Sequence, residues 1–250
     1  MNKPAINPFF FDLLSCPCGK GNSLFYKDNV LRCRDCGTDY EIIDGIPVIM
    51  TLPNDSSSMN YIEHYKKDAE IFDYFEERKC KATEHDERRL REYILSLIPK
   101  NSELILDAGS GSGWAAEKLI SKNRKIVSMD LSHANAGRIS KKIKSGSHFG
   151  IAGDALRPPF KKNTFDCIIA SEVIEHVVNP EGLAGSLFNI LKPGGKLIIS
   201  TPYKEKTQYY MCVHCNKPTP KNAHLHSFDE NRLRNLINKR NILSSKVHIF

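Results

Sequence analysis

The amino-acid sequence predicts an α/β fold, a mostly parallel sheet with helices on both faces, preceded by a small cysteine-bearing module. Three observations carry this reading. From Leu104 onward, apolar runs of strand length alternate with segments of helical spacing, the pattern that builds a parallel sheet. The first run, Leu104-Ile105-Leu106, ends in Asp107 and then in glycines at alternate positions, Gly109, Gly111 and Gly113. Ahead of it, Cys16-Pro17-Cys18 and Cys33-Arg34-Asp35-Cys36 form two knuckles fourteen residues apart.

Length and composition set the bounds. A chain of 250 residues accommodates one large domain and a small one, and 40% hydrophobic content supports a sizeable core. No apolar run approaches the roughly 18 residues that span a bilayer. Phe9-Phe10-Phe11 is cut short by Asp12 with no cleavage site behind it, so no signal peptide is expected and the chain reads as soluble and cytoplasmic. A formal net charge of +7 is compatible with RNA, but charges of this size ordinarily form solvated helix faces. Of eight cysteines, six fall into three close pairs, which suits metal binding in a reducing compartment better than a disulfide framework. Cys167 reads as a small core residue of a strand, and Cys80 has no partner in sequence.

Taken in order, residues 9–50 form the small module. Its four thiolates can surround Zn²⁺ tetrahedrally, and Gly19 and Gly37 permit the tight turns that aim sulfur inward. So short a segment buries too little apolar surface to fold unaided, and metal binding would supply folding energy. Residues 51–60 are polar and turn-rich and mark a linker, with the larger domain at 61–250. Residues 61–98 are helical in pattern, with Ile71, Phe72 and Phe75 on one face and Leu90, Tyr93, Ile94, Leu97 and Ile98 on another. Strands follow at 104–106, 125–129 and 149–153. A fourth, from Phe165, leads into the loop ending at His176. Asn179-Pro180-Glu181 opens a helix that carries Leu183, Leu187, Ile190 and Leu191 inward, and Lys192-Pro193-Gly194-Gly195 stops it ahead of a fifth strand. Residues 244–250 give one more strand, six in this domain, and leave an edge open to a strand from a partner chain or left bare by truncation.

The turn after Asp107 needs glycines because, without a Cβ, they take positive φ and let a ligand lie against the backbone at a helix N-terminus. Asp107 two residues ahead of Gly-x-Gly-x-Gly, with Asp130 and Asp154 at later strand ends, resembles class I S-adenosylmethionine-dependent methyltransferases over residues 90–243. The resemblance implies a Rossmann-like fold and a site for S-adenosyl-L-methionine. It places Asp107 near the methionine amino group and Gly109, Gly111 and Gly113 in the turn. Asp130 then holds the ribose hydroxyls beside Leu131, Asp154 and Ala155 meet the adenine, and Ser171 ends the fourth strand under the cofactor. Methyl transfer requires donor and acceptor held in line and shielded from water, so no catalytic residue is assigned. Glu175 and His176 stand where a proton acceptor would serve, although capping or packing is the commoner role of a histidine there.

The N-terminal module, with Leu13-Leu14-Ser15-Cys16-Pro17 ahead and Asp44-Gly45-Ile46-Pro47 behind, resembles the zinc-ribbon family that activates tRNA and translation-factor methyltransferases. That resemblance implies Zn²⁺ on Cys16, Cys18, Cys33 and Cys36. The first knuckle departs from it, being Cys-x-Cys in place of Cys-x-x-Cys. An insertion at 203–227 resembles a second metal motif of some methyltransferases, implying Cys212, Cys215 and His224 as ligands with His226 or His214 as the fourth. It is expected to cover the acceptor side of the pocket, with Tyr203, Tyr209 and Tyr210 lining it. Ser171-Glu172-Val173-Ile174-Glu175-His176 resembles the branch that methylates oxygen and carbon of small molecules. The expectation is therefore methyl transfer to an O, N or C acceptor, a small molecule favoured. An RNA methyltransferase and a non-catalytic protein that recruits a partner through the ribbon or the C-terminal edge are the rivals.

Overall fold

The computed structural model describes residues 6–20, 23–50, 80–121, 123–211, 218–236 and 242–249. The N-terminal part comprises helix α1 (Pro8–Leu13) and strands β1 (Leu24–Lys27), β2 (Val30–Cys33), β3 (Asp39–Ile43) and β4 (Ile46–Ile49). After α2 (Lys81–Leu97) come β5 (Leu104–Ala108), α3 (Trp114–Leu119), β6 (Lys125–Asp130), α4 (His133–Lys142), β7 (His148–Gly153) and β8 (Phe165–Ser171). Helix α5 (Pro180–Ile190), β9 (Leu191–Ser200), the short pair β10 (Tyr209–Met211) and β11 (Pro218–Pro220), and α6 (Glu230–Asn235) complete the described elements. No described helix is long and apolar enough to cross a membrane.

Nine strands form one sheet in the order β1-β2-β3-β4-β7-β6-β5-β8-β9. From β4 to β9 every pairing is parallel, and β1 to β4 form an antiparallel meander. The central strand β5 shows why a continuous apolar run is needed there. Leu104, Leu106 and Ala108 face one core with Leu183 and Leu187 of α5, while Ile105 faces the other with Ile94 of α2 and Leu119 of α3. Side chains alternate across the strand and both faces are covered. Helix starts follow local chemistry: the side chains of Asn7, Ser132 and Asn179 accept backbone N–H groups of α1, α4 and α5, and proline opens α1 and α5 where no donor is required.

The N-terminal meander is fastened to the larger sheet at two places. Strand β4 pairs in parallel with β7, Val48 opposite Ala152 and Ile49 opposite Gly153. The end of α1 meets the loop after β7: Ser15 N donates to Pro159 O at 3.0 Å and Lys161 N donates to Leu13 O at 3.0 Å. Phe10 stacks on Phe149 with ring centroids 5.0 Å apart, so the two parts share a core.

The expected strand at the C-terminal end is not found. Residues 244–249 are irregular, which leaves the larger domain with five strands in the sheet among the described residues and β9 as its outer strand. The cause is composition. Ser244-Ser245-Lys246 offers nothing to bury, Leu243 is 94% exposed, and His248 turns its ring edge-on to Tyr93 of α2 at 5.4 Å. The helical faces expected at Ile71, Phe72 and Phe75, and the linker at 51–60, lie outside the described residues.

Candidate active site

A cleft opens at the C-terminal ends of β5 to β8, where the strand order reverses about β5 and the sheet leaves a crevice. Its floor is the glycine turn. Gly109 N and Ser110 N both donate to Met129 O, at 2.8 and 3.0 Å, tying the turn to the end of β6. Gly109 has φ of +82°, and a Cβ there would stand 2.4 Å from Val173 Cγ2, so only glycine fits. Gly111 lines the cleft, and its N–H donates to Asp130 Oδ2 at 3.0 Å. Gly113 serves a different purpose: it caps α3 in the left-handed region, and a Cβ would meet Ile139 Cγ2 at 2.7 Å.

Of the sequence-predicted cofactor residues, Gly109, Gly111, Asp130, Leu131, Asp154 and Ala155 line one cleft, although they come from three strand ends. Asp130 Oδ1 accepts from Ser132 N at 2.9 Å, so both carboxylate oxygens are oriented by backbone. Asp154 Oδ1 accepts from Leu156 N at 2.8 Å. Asp107 lies below the turn, 1% exposed, and its Oδ2 has no hydrogen-bond partner among the described residues. Burial, and second the charge of Asp130, push its carboxyl up to about 7. Ser171 is removed from the lining and pairs its hydroxyl with Ser200 Oγ at 2.9 Å.

Glu172, Val173, His176 and Val177 also line the cleft; sequence reasoning put His176 where a proton acceptor would serve but named none of the four as a cofactor contact. Glu172 takes φ of +55°, a strained value for a side-chain-bearing residue, where β8 turns sharply into the loop. Its carboxylate accepts from Ser200 Oγ at 2.8 Å. The 203–227 insertion returns against this loop, with Leu225 N and His226 N donating to Glu175 O at 2.8 and 3.2 Å. Tyr203, Tyr209 and Tyr210, expected to line the pocket, are instead exposed, and none contributes to the cleft. They sit on the outgoing arm and the β10–β11 pair, which face solvent; Tyr203 OH donates to Glu230.

Among the described residues, two groups of side chains could hold metal. Cys16, Cys18, Cys33 and Cys36 bring their sulfurs within 4.8 Å of one another. Cys16 to Cys36 is 3.7 Å and Cys18 to Cys33 is 3.9 Å, close to the roughly 3.8 Å edge of a tetrahedron built on Zn–S bonds of about 2.3 Å. The shortened Cys-x-Cys knuckle therefore still presents both sulfurs inward. The second group is Glu175, His176 and His224. Cys212, Cys215 and His214 lie outside the described residues. His226 is apart from the second group, its Nδ1 accepting from Arg232 Nη2 at 2.9 Å.

Residues 82–242 match the methyltransferase domain family. The chain belongs to that family. Its sheet is the family's Rossmann-like α/β arrangement, and S-adenosyl-L-methionine is the cofactor that membership supports. Among curated relatives, a ubiquinone/menaquinone biosynthesis C-methyltransferase UbiE of Wigglesworthia glossinidia brevipalpis is 38% identical over 102 residues, 38% of this chain and 41% of the relative. A ubiquinone biosynthesis O-methyltransferase of Xylella fastidiosa is 26% identical over 126 residues, 49% of this chain and 51% of the relative. The chain thus spans about half the length of the curated relatives it matches. Among solved structures, phosphoethanolamine N-methyltransferase 2 of Haemonchus contortus, in complex with S-adenosyl-L-methionine, has 21% identity and a TM-score of 0.48, over 61% of this chain and 36% of that one.

The donor set fits the cofactor. A buried carboxylate oxygen lacking a partner suits an ammonium group, and glycine at 109 keeps the turn packed against the cleft-lining Val173, which a Cβ would strike. A pH dependence follows from Asp107. A carboxyl whose folded pKa exceeds its unfolded value of about 3.9 stabilises the fold below that value and loses this contribution as pH rises through about 7. Ionised Asp107 is the form that pairs with an ammonium, so affinity for S-adenosylhomocysteine is expected to rise up to about pH 7 and then level off, while the ligand-free protein loses stability between about pH 4 and 7. Calorimetric titration and melting across that range check both trends, and Asp107→Asn should flatten them.

Proposed function

We propose that the chain transfers the methyl group of S-adenosyl-L-methionine to a small-molecule acceptor and that residues 9–50 are a zinc ribbon fused to the transferase domain at 61–250. The observation that carries the first part is the cleft itself, where the glycine turn, Asp130 and Asp154 converge from separate strands in a chain of the methyltransferase domain family. Bound S-adenosyl-L-methionine supplies an electrophilic methyl group on a sulfonium. The protein holds it: Asp107 takes the amino group, Asp130 the ribose hydroxyls, Asp154 with Ala155 the adenine, while Gly109 and Gly111 allow close approach. Val173 and Val177 narrow the cleft with apolar surface that excludes water. Relatives named as quinone-biosynthesis C- and O-methyltransferases support a small-molecule acceptor. For the ribbon, the sulfur spacing supports Zn²⁺ on Cys16, Cys18, Cys33 and Cys36.

The test is radiolabelled S-adenosyl-L-methionine, first titrated for binding and then incubated with fractionated small-molecule, RNA and protein pools. Label in the small-molecule pool is expected. Label confined to RNA would establish the RNA reading, and binding without transfer to any pool would leave a recruiting role.

A further inference from the structure

We propose that Glu175, His176 and His224 form an open divalent-metal site beside the cofactor cleft, whose ion takes a hydroxyl oxygen of the methyl acceptor. The acceptor half rests on the methyltransferase reading; the metal half stands on side-chain geometry alone. Glu175 and His176 follow β8, and His224 follows the turn at Lys221–Ala223, yet their ligand atoms all lie within 4.8 Å of one another. Ligands around one ion with bonds near 2.1 Å sit about 3.4 Å apart, so side-chain adjustments of roughly 1 Å assemble the site.

Glu175 supplies the strongest argument. It is 1% exposed; Oε2 accepts from Thr201 Oγ1 at 3.1 Å, and Oε1 is buried with no hydrogen-bond partner among the described residues. The Nε2 of His176 stands 3.8 Å from that oxygen, too far for a hydrogen bond. Leaving a buried carboxylate oxygen in this way is costly, and a cation between the two side chains would offset that cost.

Both histidines also have the outer support that ligating imidazoles use. His176 Nδ1 lies 3.3 Å from Ala223 O, which fixes its proton on that side and turns Nε2 toward Glu175. His224 Nδ1 is paired with Glu205, which leaves its Nε2 on the opposite side of the ring, and the two imidazoles meet edge to face at 4.7 Å. Two imidazoles and one carboxylate form the donor set of open Zn²⁺ sites and also suit Mn²⁺. Three protein donors leave coordination positions unfilled. Of the three donors, His176 lines the cofactor cleft, so an ion held here would lie beside the place where an acceptor must lie. An ion there lowers the pKa of a bound hydroxyl, whose proton passes to solvent, and removes the need for a protein base.

The experiment is an Mn²⁺ titration followed by electron paramagnetic resonance on the full chain carrying one equivalent of zinc, which the four thiolates take first, with S-adenosylhomocysteine affinity measured in parallel. One bound Mn²⁺ is expected. His224→Ala and Glu175→Gln should each weaken it by at least about tenfold, the scale seen when metal sites lose a supporting group. The exposed His85→Ala should leave it unchanged, and unaltered S-adenosylhomocysteine binding by His224→Ala shows that the variant is folded. No Mn²⁺ beyond the zinc, or parent-like Mn²⁺ binding by both variants, would overturn the site. So would loss of the ion in Cys212→Ser with Cys215→Ser but not in His176→Ala, since the ion would then belong to the cysteine knuckle. If Mn²⁺ binds as expected but the parent takes no S-adenosylhomocysteine, the metal site holds and its acceptor role fails with the methyltransferase reading.

Discussion

Cys33→Ser combined with Cys36→Ser is expected to release one zinc ion per chain and to unfold residues 9–50. Structural zinc contributes folding free energy on the order of 10–16 kcal/mol in isolated fingers, far more than so small a module gains from Leu31, Tyr40 and Ile49. The loss will be felt beyond the ribbon. Once β4 leaves β7, the parallel pairing at Val48 and Ile49 goes, and Phe149 loses much of its cover from Phe10. A destabilisation of at least about 3 kcal/mol corresponds to roughly 6–12 °C in Tm for a chain of this size. Metal analysis and thermal melting decide it. A double variant with the parent's zinc content and Tm would show that these thiols hold no structural ion.

Asp130→Ala is expected to weaken S-adenosylhomocysteine binding by about 100-fold or more, because hydrogen bonds to a carboxylate are each worth about 1.5–3 kcal/mol and the ribose would lose two. Stability should fall much less. Of the two N–H groups released, that of Gly111 lines the cleft and can turn to water, and that of Ser132 belongs to the buried cap residue of α4. Asp130→Asn tests the same point differently, since its amide has one acceptor atom for the two backbone donors the carboxylate now serves. Titration calorimetry on both variants separates binding from folding. Affinity within twofold of the parent in Asp130→Ala would sink the assignment of this cleft.

What could be read from the sequence is what local chemistry determines. The apolar runs that became β5 to β8 are legible because a strand covered on both faces is mostly apolar, the buried Ser128 of β6 being satisfied by His148 at 3.0 Å, and Asn179-Pro180 announces α5 through a cap and a fixed φ. The glycine turn and the acids at strand ends are legible for the same reason, each needed by its own backbone geometry. Long-range convergence is not. Nothing local in Val48-Ile49 says that it pairs with Ala152-Gly153, and nothing near His224 says that its ring will meet His176. The C-terminal strand failed in the opposite direction: Val247 and Ile249 alternate as a strand would, but two apolar side chains do not outweigh the cost of ordering the polar residues before them.

The junction between β4 and β7 also dictates an order of events during synthesis. The meander leaves the ribosome before the strands it joins and can close using contacts within residues 9–50. Its partner strand, residues 148–153, is made about a hundred residues later. Throughout that interval β4 is a folded strand with an unpaired edge, and contacts this far apart in sequence are slow to form because the intervening chain must first be brought together. The arrival of β7 thus joins the N-terminal piece to β6 and β5, which are made before it, and β8 and β9 are added to the far edge afterwards. A nascent chain stalled before residue 148 would expose the strand edge most prone to pairing with a neighbour.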